Sequence, residues 1–308
     1  VNQERFKLDI HITTCNRYDV KCRPRPRPHY AKKWNVKEWT NDERVEISKI
    51  SVESIIKLKN QLESHGHIVR LTLIDDGTDV EQALEWHKSI DRGVVNIKNL
   101  PNRGSSVGIN EHFQEIKQDP PDYILHVEDD NLFFNPLNID WLKNIDNVKK
   151  QNDNIIVFSL RSGLPVEPCD RGYKGAWGPV KYEKIANFGI ILFKCMGNSH
   201  HIMKWKDYCK FFPLSGNTGS CESYMNSKLL NLGYNCEIQQ HVHFFHSHLL
   251  NYPIGSNHLN NWHKTGEGFE YGHKDMNLYL LKKNPVKSKI YNISNKDFEI
   301  IELVNYDY

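Results

Sequence analysis

Two hydrophobic rhythms alternate along the first half of the chain. Lys7–Thr14 reads as a short buried strand. From Asp42 to Ser64 the apolar positions Val45, Ile47, Ile50, Ile55, Ile56 and Leu62 follow helical spacing, with Asn41 placed to cap the helix. Val69–Ile74 predicts a strand running into Asp75-Asp76-Gly77, and Val80–Ile90 a helix. Val94–Leu100 predicts the next strand, and Ser106–Lys117 a helix capped by Ser105 or Ser106. Tyr123–Val127 is a further strand and ends at Glu128-Asp129-Asp130. Strands that alternate with helices in this order predict an α/β fold, a mostly parallel central sheet flanked by helices.

The second half is less regular. Ile139–Gln151 has a helical pattern, and Asn154–Leu160 and Phe188–Phe193 read as strands. Between those strands, Arg161–Pro179 is rich in Gly and Pro and reads as a surface loop. Glu222–Leu232 predicts a helix that Gly233 ends as a left-handed cap, and Cys236–Phe245 alternates like a strand. The prolines of Arg23-Pro24-Arg25-Pro26-Arg27-Pro28 favour an extended, positively charged segment. It is either an exposed loop or an arm that touches phosphate or a partner. The organisation expected is one catalytic domain over residues 1–260, with 261–308 as a C-terminal extension packed on it.

Composition narrows the function classes. In 308 residues, 39% are hydrophobic and 11% aromatic, enough for a sizeable core, which excludes wholesale disorder. The formal net charge is only +2, too small an excess for a protein whose main partner is nucleic acid. No apolar run approaches the ~18 residues of a membrane span. The opening VNQERFKLDI has no apolar stretch of a signal peptide. Since the first residue is Val1, the expectation is a trimmed chain or a numbering that begins inside a longer one. The 7 cysteines are scattered with no CxxC, which disfavours a zinc ribbon or a disulfide framework and favours a reducing setting, cytoplasmic or host-cytoplasmic. A secretory lumen stays open if an anchor preceded Val1.

The chemistry-bearing residues collect at strand ends. Asp75 and Asp76 close one predicted parallel strand; Glu128, Asp129 and Asp130 close another. Ligands of open α/β sheets bind at that edge. Carboxylates gathered there repel one another unless a cation or hydrogen-bond donors intervene. Oxygen ligands suit Mg²⁺ or Mn²⁺. Asp75-Asp76-Gly77-Thr78 also has the composition of a turn that caps the following helix, and both readings stay open.

Taken together, these motifs resemble the GT-A-fold glycosyltransferases, close in pattern to family 2. Thr13-Thr14-Cys15-Asn16-Arg17 is similar to that family's T-x-N-R opening, and Asp75-Asp76-Gly77-Thr78 to its D-D-G-S/T element. Asn102-Arg103-Gly104 with Gly108 and Asn110 resembles its N-x-G…N stretch. Glu128-Asp129-Asp130 stands where the family has its D-x-D metal motif, with Glu as the first acid. The resemblance runs from about residue 8 to residue 248. It implies that Thr13, Thr14, Asn16, Arg17, Asp75, Asp76, Asn102, Gly108, Glu128 and Asp129 line the nucleotide, and that Asp130 binds Mn²⁺ or Mg²⁺ at the donor diphosphate.

Counting back from Gly233-Tyr234 puts Glu222 on the family's general base, with Cys221 replacing the preceding acid. Counting forward puts His246 on its late metal-contacting histidine. The other histidines of the cluster, His241, His243 and His248, leave a separate zinc site or ordinary polar surface open. Trp177 either stacks on a sugar or packs in the core. The activity this implies is metal-dependent, inverting transfer from a nucleotide-sugar donor, a UDP-sugar, to a glycan or other hydroxyl acceptor. Nucleic acid and a membrane span are excluded as partners. A sugar-1-phosphate nucleotidyltransferase, a retaining transferase and an inactive carbohydrate-binding relative are the alternatives.

Overall fold

The computed structural model describes residues 4–16, 41–129, 131–134, 140–153, 155–159, 179–185, 188–193, 201–214, 224–225, 228, 241–245, 255–258, 286–294 and 297–306. Its first half is β1 (Lys7–Thr14), α1 (Asn41–Ser64), β2 (Ile68–Asp76), α2 (Glu81–Ser89), β3 (Asn96–Leu100), α3 (Ser105–Ile116) and β4 (Tyr123–Glu128). There follow β5 (Asn131–Phe134), α4 (Trp141–Gln151), β6 (Val157–Ser159), β7 (Pro179–Ile185), β8 (Phe188–Phe193), β9 (His201–Lys204) and the short α5 (Trp205–Tyr208). The last elements are β10 (His241–Phe245), β11 (Gly255–His258), β12 (Val286–Ser294) and β13 (Asp297–Tyr306).

A 9-stranded sheet in the order β3-β2-β1-β4-β9-β6-β10-β8-β7 forms the centre. β1, β2, β3 and β4 pair in parallel; β8 and β9 run against the rest. The expected α/β class with a mostly parallel, helix-flanked sheet is the class observed. β11 pairs with β5, and β12 with β13, in separate two-stranded sheets.

Strand alternation sorts the core into two layers. Leu8, Ile10 and Ile12 of β1 face Val52, Ile55 and Leu58 of α1 and the buried Trp141 of α4. On the opposite side, Ile74 and Ile124 pack with Ile109 and Phe113 of α3 and with Met203 and Phe211. Each such side chain contributes roughly 1.5–3 kcal/mol on burial. Gly108 lets α3 settle on the sheet: a Cβ there would lie 2.6 Å from Ile74 Cγ2 and 2.9 Å from Leu100 Cδ1.

Several boundaries differ from expectation. β2 continues through both Asp75 and Asp76, because β3 pairs with it that far. The cap of α3 is neither Ser105 nor Ser106 but Gly104, at φ 95° with no side-chain cap bond. Glycine reaches that conformation without a Cβ clash. The strand expected from Val94 starts at Asn96, since Val94 and Val95 donate their N–H groups back to Asp91 O in a turn. β9 was not expected at all: its four residues, HIMK, are too few to display alternation. Its partners β4 and β6 on either side bury it.

Buried polar groups tie the layers together. Lys149 of α4 is 1% exposed and lies 2.8 Å from Asp207 of α5, while its Nζ also donates to the carbonyls of Asp153 and Ile155. Asp146 accepts a hydrogen bond from the Tyr123 hydroxyl at 2.6 Å and lies 2.7 Å from Lys150 and 2.8 Å from Lys204. Burial pushes the Asp146 carboxyl up, but these three donors outweigh it and hold it below the ordinary carboxylate value. A carboxylate depressed in the folded state stabilises it above the unfolded pKa, and that stability is lost as pH falls through the folded one. Asp146→Asn is therefore expected to lower stability by about 1–3 kcal/mol at neutral pH. It should also flatten the loss of stability below about pH 4. Denaturant titrations of both proteins at a series of pH values measure both effects.

Candidate functional site

The C-terminal ends of β1, β2 and β4 lie side by side, with Thr14 in register with Asp75 and Thr13 with Glu128. This register brings motifs distant in sequence to one edge, where the polar groups form a continuous network. Asp129 Oδ2 accepts hydrogen bonds from the hydroxyls of Thr14 and Ser48, each at 2.6 Å. The Asp129 N–H donates to Thr13 O at 3.2 Å, and the Thr13 hydroxyl to Val127 O at 3.5 Å. Asn16 Nδ2 sits 3.3 Å from both the Thr14 and the Ser48 hydroxyl oxygens. The backbone of Asn16 bonds across to the next loop: its N–H donates to Thr78 Oγ1, and its carbonyl accepts from Asp79 and Val80.

Asp75 and Asp76 brace the loops around this edge. Asp75 Oδ1 accepts the Thr78 N–H at 3.0 Å, and Asp75 Oδ2 lies 3.5 Å from Nδ1 of His87 on α2. Asp76 accepts the N–H groups of Arg103 and Gly104, both at 2.9 Å, and so fastens the β3–α3 loop. Gly77 completes the junction. Its φ is 81°, and a Cβ would stand 2.7 Å from the Asn102 nitrogen. The turn reading of Asp75–Thr78 therefore holds for these hydrogen bonds, in addition to whatever the edge binds. Asp76→Ala would strand two backbone donors. It is expected to cost about 2 kcal/mol, seen as a lower melting temperature without any ligand.

The edge gathers Thr13, Thr14, Asn16, Asp75, Asp76, Glu128 and Asp129, with Asn102 exposed on the adjoining loop. Gly108, expected at the nucleotide, is instead buried in the contact between α3 and the sheet, and Asn110 holds the Leu214 backbone through two hydrogen bonds of 2.9 and 2.8 Å. Arg17, Asp130, Glu222, His246, His248, Trp177 and the Arg-Pro repeat lie outside the described residues. His241 and His243 fall on β10.

Two participants were not anticipated. Ser48 lies on the apolar face of α1, one turn from Val45 and Val52, and is 2% exposed; its place in that spacing signals burial but not the contact with Asp129. His87 is 3% exposed beneath Asp75. Its place in the basic last turn of α2 gave no hint of that contact.

The chain matches no protein-family model and no curated protein. In structural comparison it is similar to GalNAc-T7 with UDP, GalNAc and Mn²⁺, at 12% identity and a TM-score of 0.44, covering 82% of this chain and 44% of that one. It is also similar to the mannosyltransferase PcManGT from Pyrobaculum calidifontis in complex with GDP-Man and Mn²⁺. There the identity is 11% and the TM-score 0.45, over 78% of this chain and 57% of that one. The chain thus spans about half the length of these two proteins. Its own strand order and register, rather than this likeness, carry the fold assignment.

Proposed function

We propose that this chain transfers a sugar from a nucleotide-sugar donor, a UDP-sugar, to a hydroxyl of a glycan or other acceptor. The observation that carries this reading is the hydrogen-bonded edge in which β1, β2 and β4 present Thr14, Asn16, Asp75 and Asp129 together. Parallel sheets bind nucleotides at such edges. Its acceptor-rich side chains suit ribose hydroxyls and base N–H groups.

The donors at the end of β4 are carboxylate oxygens, a set that fits a hard divalent cation such as Mn²⁺ or Mg²⁺. Asp130 and His246 are the residues assigned to hold it. When bound, such a cation neutralises charge building on the departing nucleoside diphosphate. The chain's own residues do the remaining work. Asp129, fixed by Thr14 and Ser48, orients the ribose. Asp75 receives the base or ribose. Glu222 takes the proton from the acceptor hydroxyl as its oxygen bonds to the anomeric carbon and the bond from that carbon to the diphosphate breaks. Attack opposite the leaving group inverts the anomeric centre. Residues 1–260 carry this site in the proposal, and 261–308 pack on it as an extension.

Calorimetry with UDP and GDP, with and without Mn²⁺, tests the reading. Tight binding only with metal is the expected result; equal affinity in EDTA overturns the metal role. Asp130→Ala is expected to lose the metal-dependent binding while melting at the temperature of the unmodified protein.

A further inference from the structure

A second cluster of chemistry lies deeper in the sheet, on the face of β1 that packs under α3. Alternation that sends Leu8, Ile10 and Ile12 to the α1 side sends Asp9 and His11 to this one. His11 is in register with His126 on β4, and His126 with His201 on β9. Three histidines therefore stand in a row across adjacent strands. The ring nitrogens His11 Nε2 and His126 Nδ1 are 2.9 Å apart, and the rings of His126 and His201 lie 5.1 Å apart. From above, α3 lowers His112 onto the row, with Nε2 2.7 Å from Asp9 Oδ1.

None of these groups reaches solvent: Asp9 and His11 are 0% exposed and His112 is 3% exposed. The Tyr208 hydroxyl lies 3.5 Å from His11 Nε2. Nδ1 of His11 and Nδ1 of His112 are both buried without a hydrogen-bond partner. Apolar side chains of similar volume would fill such a layer with no unsatisfied atoms. Burial holds His11 and His126 neutral, pushing both well below the ordinary imidazole value. Neutral imidazole is the form that binds metals.

We propose that Asp9, His11 and His112 form a buried zinc site that braces α3 against β1. One ligand atom from each, a ring nitrogen from each histidine and a carboxylate oxygen, lie within 4.8 Å of one another. Tetrahedral zinc with bonds near 2.0–2.1 Å needs its ligands about 3.3 Å apart. The three side chains supply three of the four ligands, and in the proposal a water takes the fourth position. Two nitrogens and one oxygen favour zinc over Mn²⁺ or Mg²⁺, which prefer all-oxygen shells. His126, whose Nδ1 lies 2.9 Å from His11 Nε2, holds the His11 ring from outside the ligand set, as the partners of metal-bound histidines do. Arg70 Nε, 3.1 Å from Asp9 Oδ2, balances the carboxylate from the other side. The site is separate from the donor edge, since His11 precedes Thr14 by about 10 Å of extended strand.

Elemental analysis of the full chain, dialysed without chelator, is expected to find a single equivalent of zinc. Chelator removal should lower the melting temperature, and Zn²⁺ should restore it where Mg²⁺ does not. Co²⁺ added to the stripped protein should give the intense visible bands of tetrahedral coordination. Asp9→Leu and His112→Leu each remove a ligand and are expected to abolish stoichiometric zinc binding, while Asp130→Ala leaves the zinc content unchanged. Failure of the His112 variant to fold would leave the chelator and Co²⁺ measurements on the unmodified chain to decide. A zinc-free protein whose melting does not respond to Zn²⁺, or an octahedral Co²⁺ spectrum, overturns the proposal. So does full zinc retention in a folded His112→Leu variant. Loss of zinc on Asp130→Ala would move the metal to the donor edge and also overturn it.

Discussion

Asp129→Ala is expected to lower both stability and donor binding. The carboxylate oxygen Oδ2 takes two hydroxyl donors at 2.6 Å, from Thr14 at the end of β1 and Ser48 on α1. Truncation leaves both partly buried hydroxyls without their shared acceptor, at roughly 1–3 kcal/mol for each. A loss of about 2–4 kcal/mol in a denaturant titration follows. Ser48→Ala removes one donor and keeps the carboxylate, so it should cost about 1 kcal/mol. The double variant should lose less than the sum, because the Ser48 hydroxyl has no carboxylate left to donate to once Asp129 is gone. UDP affinity measured with Mn²⁺ should fall at least about tenfold for Asp129→Ala, as the proposed charge-assisted contact to the ribose would be lost. Additive stability losses with unchanged UDP binding would count against both the network and its role.

How much of this was readable beforehand depends on how each feature is encoded. The β1–β4 half was legible because each of its elements repeats a period: Leu8, Ile10 and Ile12 at strand spacing, Ile109, Phe113 and Ile116 at helix spacing. Acidic strand ends were legible for a related reason, since Asp75 and Asp129 follow apolar runs that topology places on either side of β1. Features that depend on tertiary proximity were not. Ser48 meets Asp129 across 81 positions of sequence, and no spacing announces a contact of that range. Gly108 looked like a motif residue, yet its reason is the 2.6 Å at which Ile74 would meet a Cβ. The buried histidines escaped for the opposite cause. The pattern of β1 marks Lys7–Thr14 as buried, and nothing in its spacing singles out the ionisable Asp9 and His11 between the apolar residues. Their meaning emerges only when His126 of β4 and His112 of α3 arrive beside them.

Glu222→Gln is expected to lower the rate of sugar transfer by roughly 10² to 10⁴, the usual worth of a positioned proton acceptor. The amide is nearly isosteric with the carboxylate, so donor and metal binding should persist; calorimetry with UDP and Mn²⁺ checks that the site is intact. Glutamine cannot accept the acceptor's hydroxyl proton, so the loss should fall on turnover and leave KM for the donor little changed. The pH profile separates this role from a structural one. A rate limited by a carboxylate base rises with pH through the pKa of that base and then levels, and the variant should lack this limb. Product stereochemistry gives an independent reading. Single displacement assisted by Glu222 inverts the anomeric carbon, and NMR of the product made from an α-linked donor should show the β anomer. Retention of configuration together with wild-type transfer by Glu222→Gln would remove the inverting assignment. The metal-dependence of UDP binding and the Asp129 network would still stand on their own measurements, because neither depends on which face of the sugar the acceptor attacks.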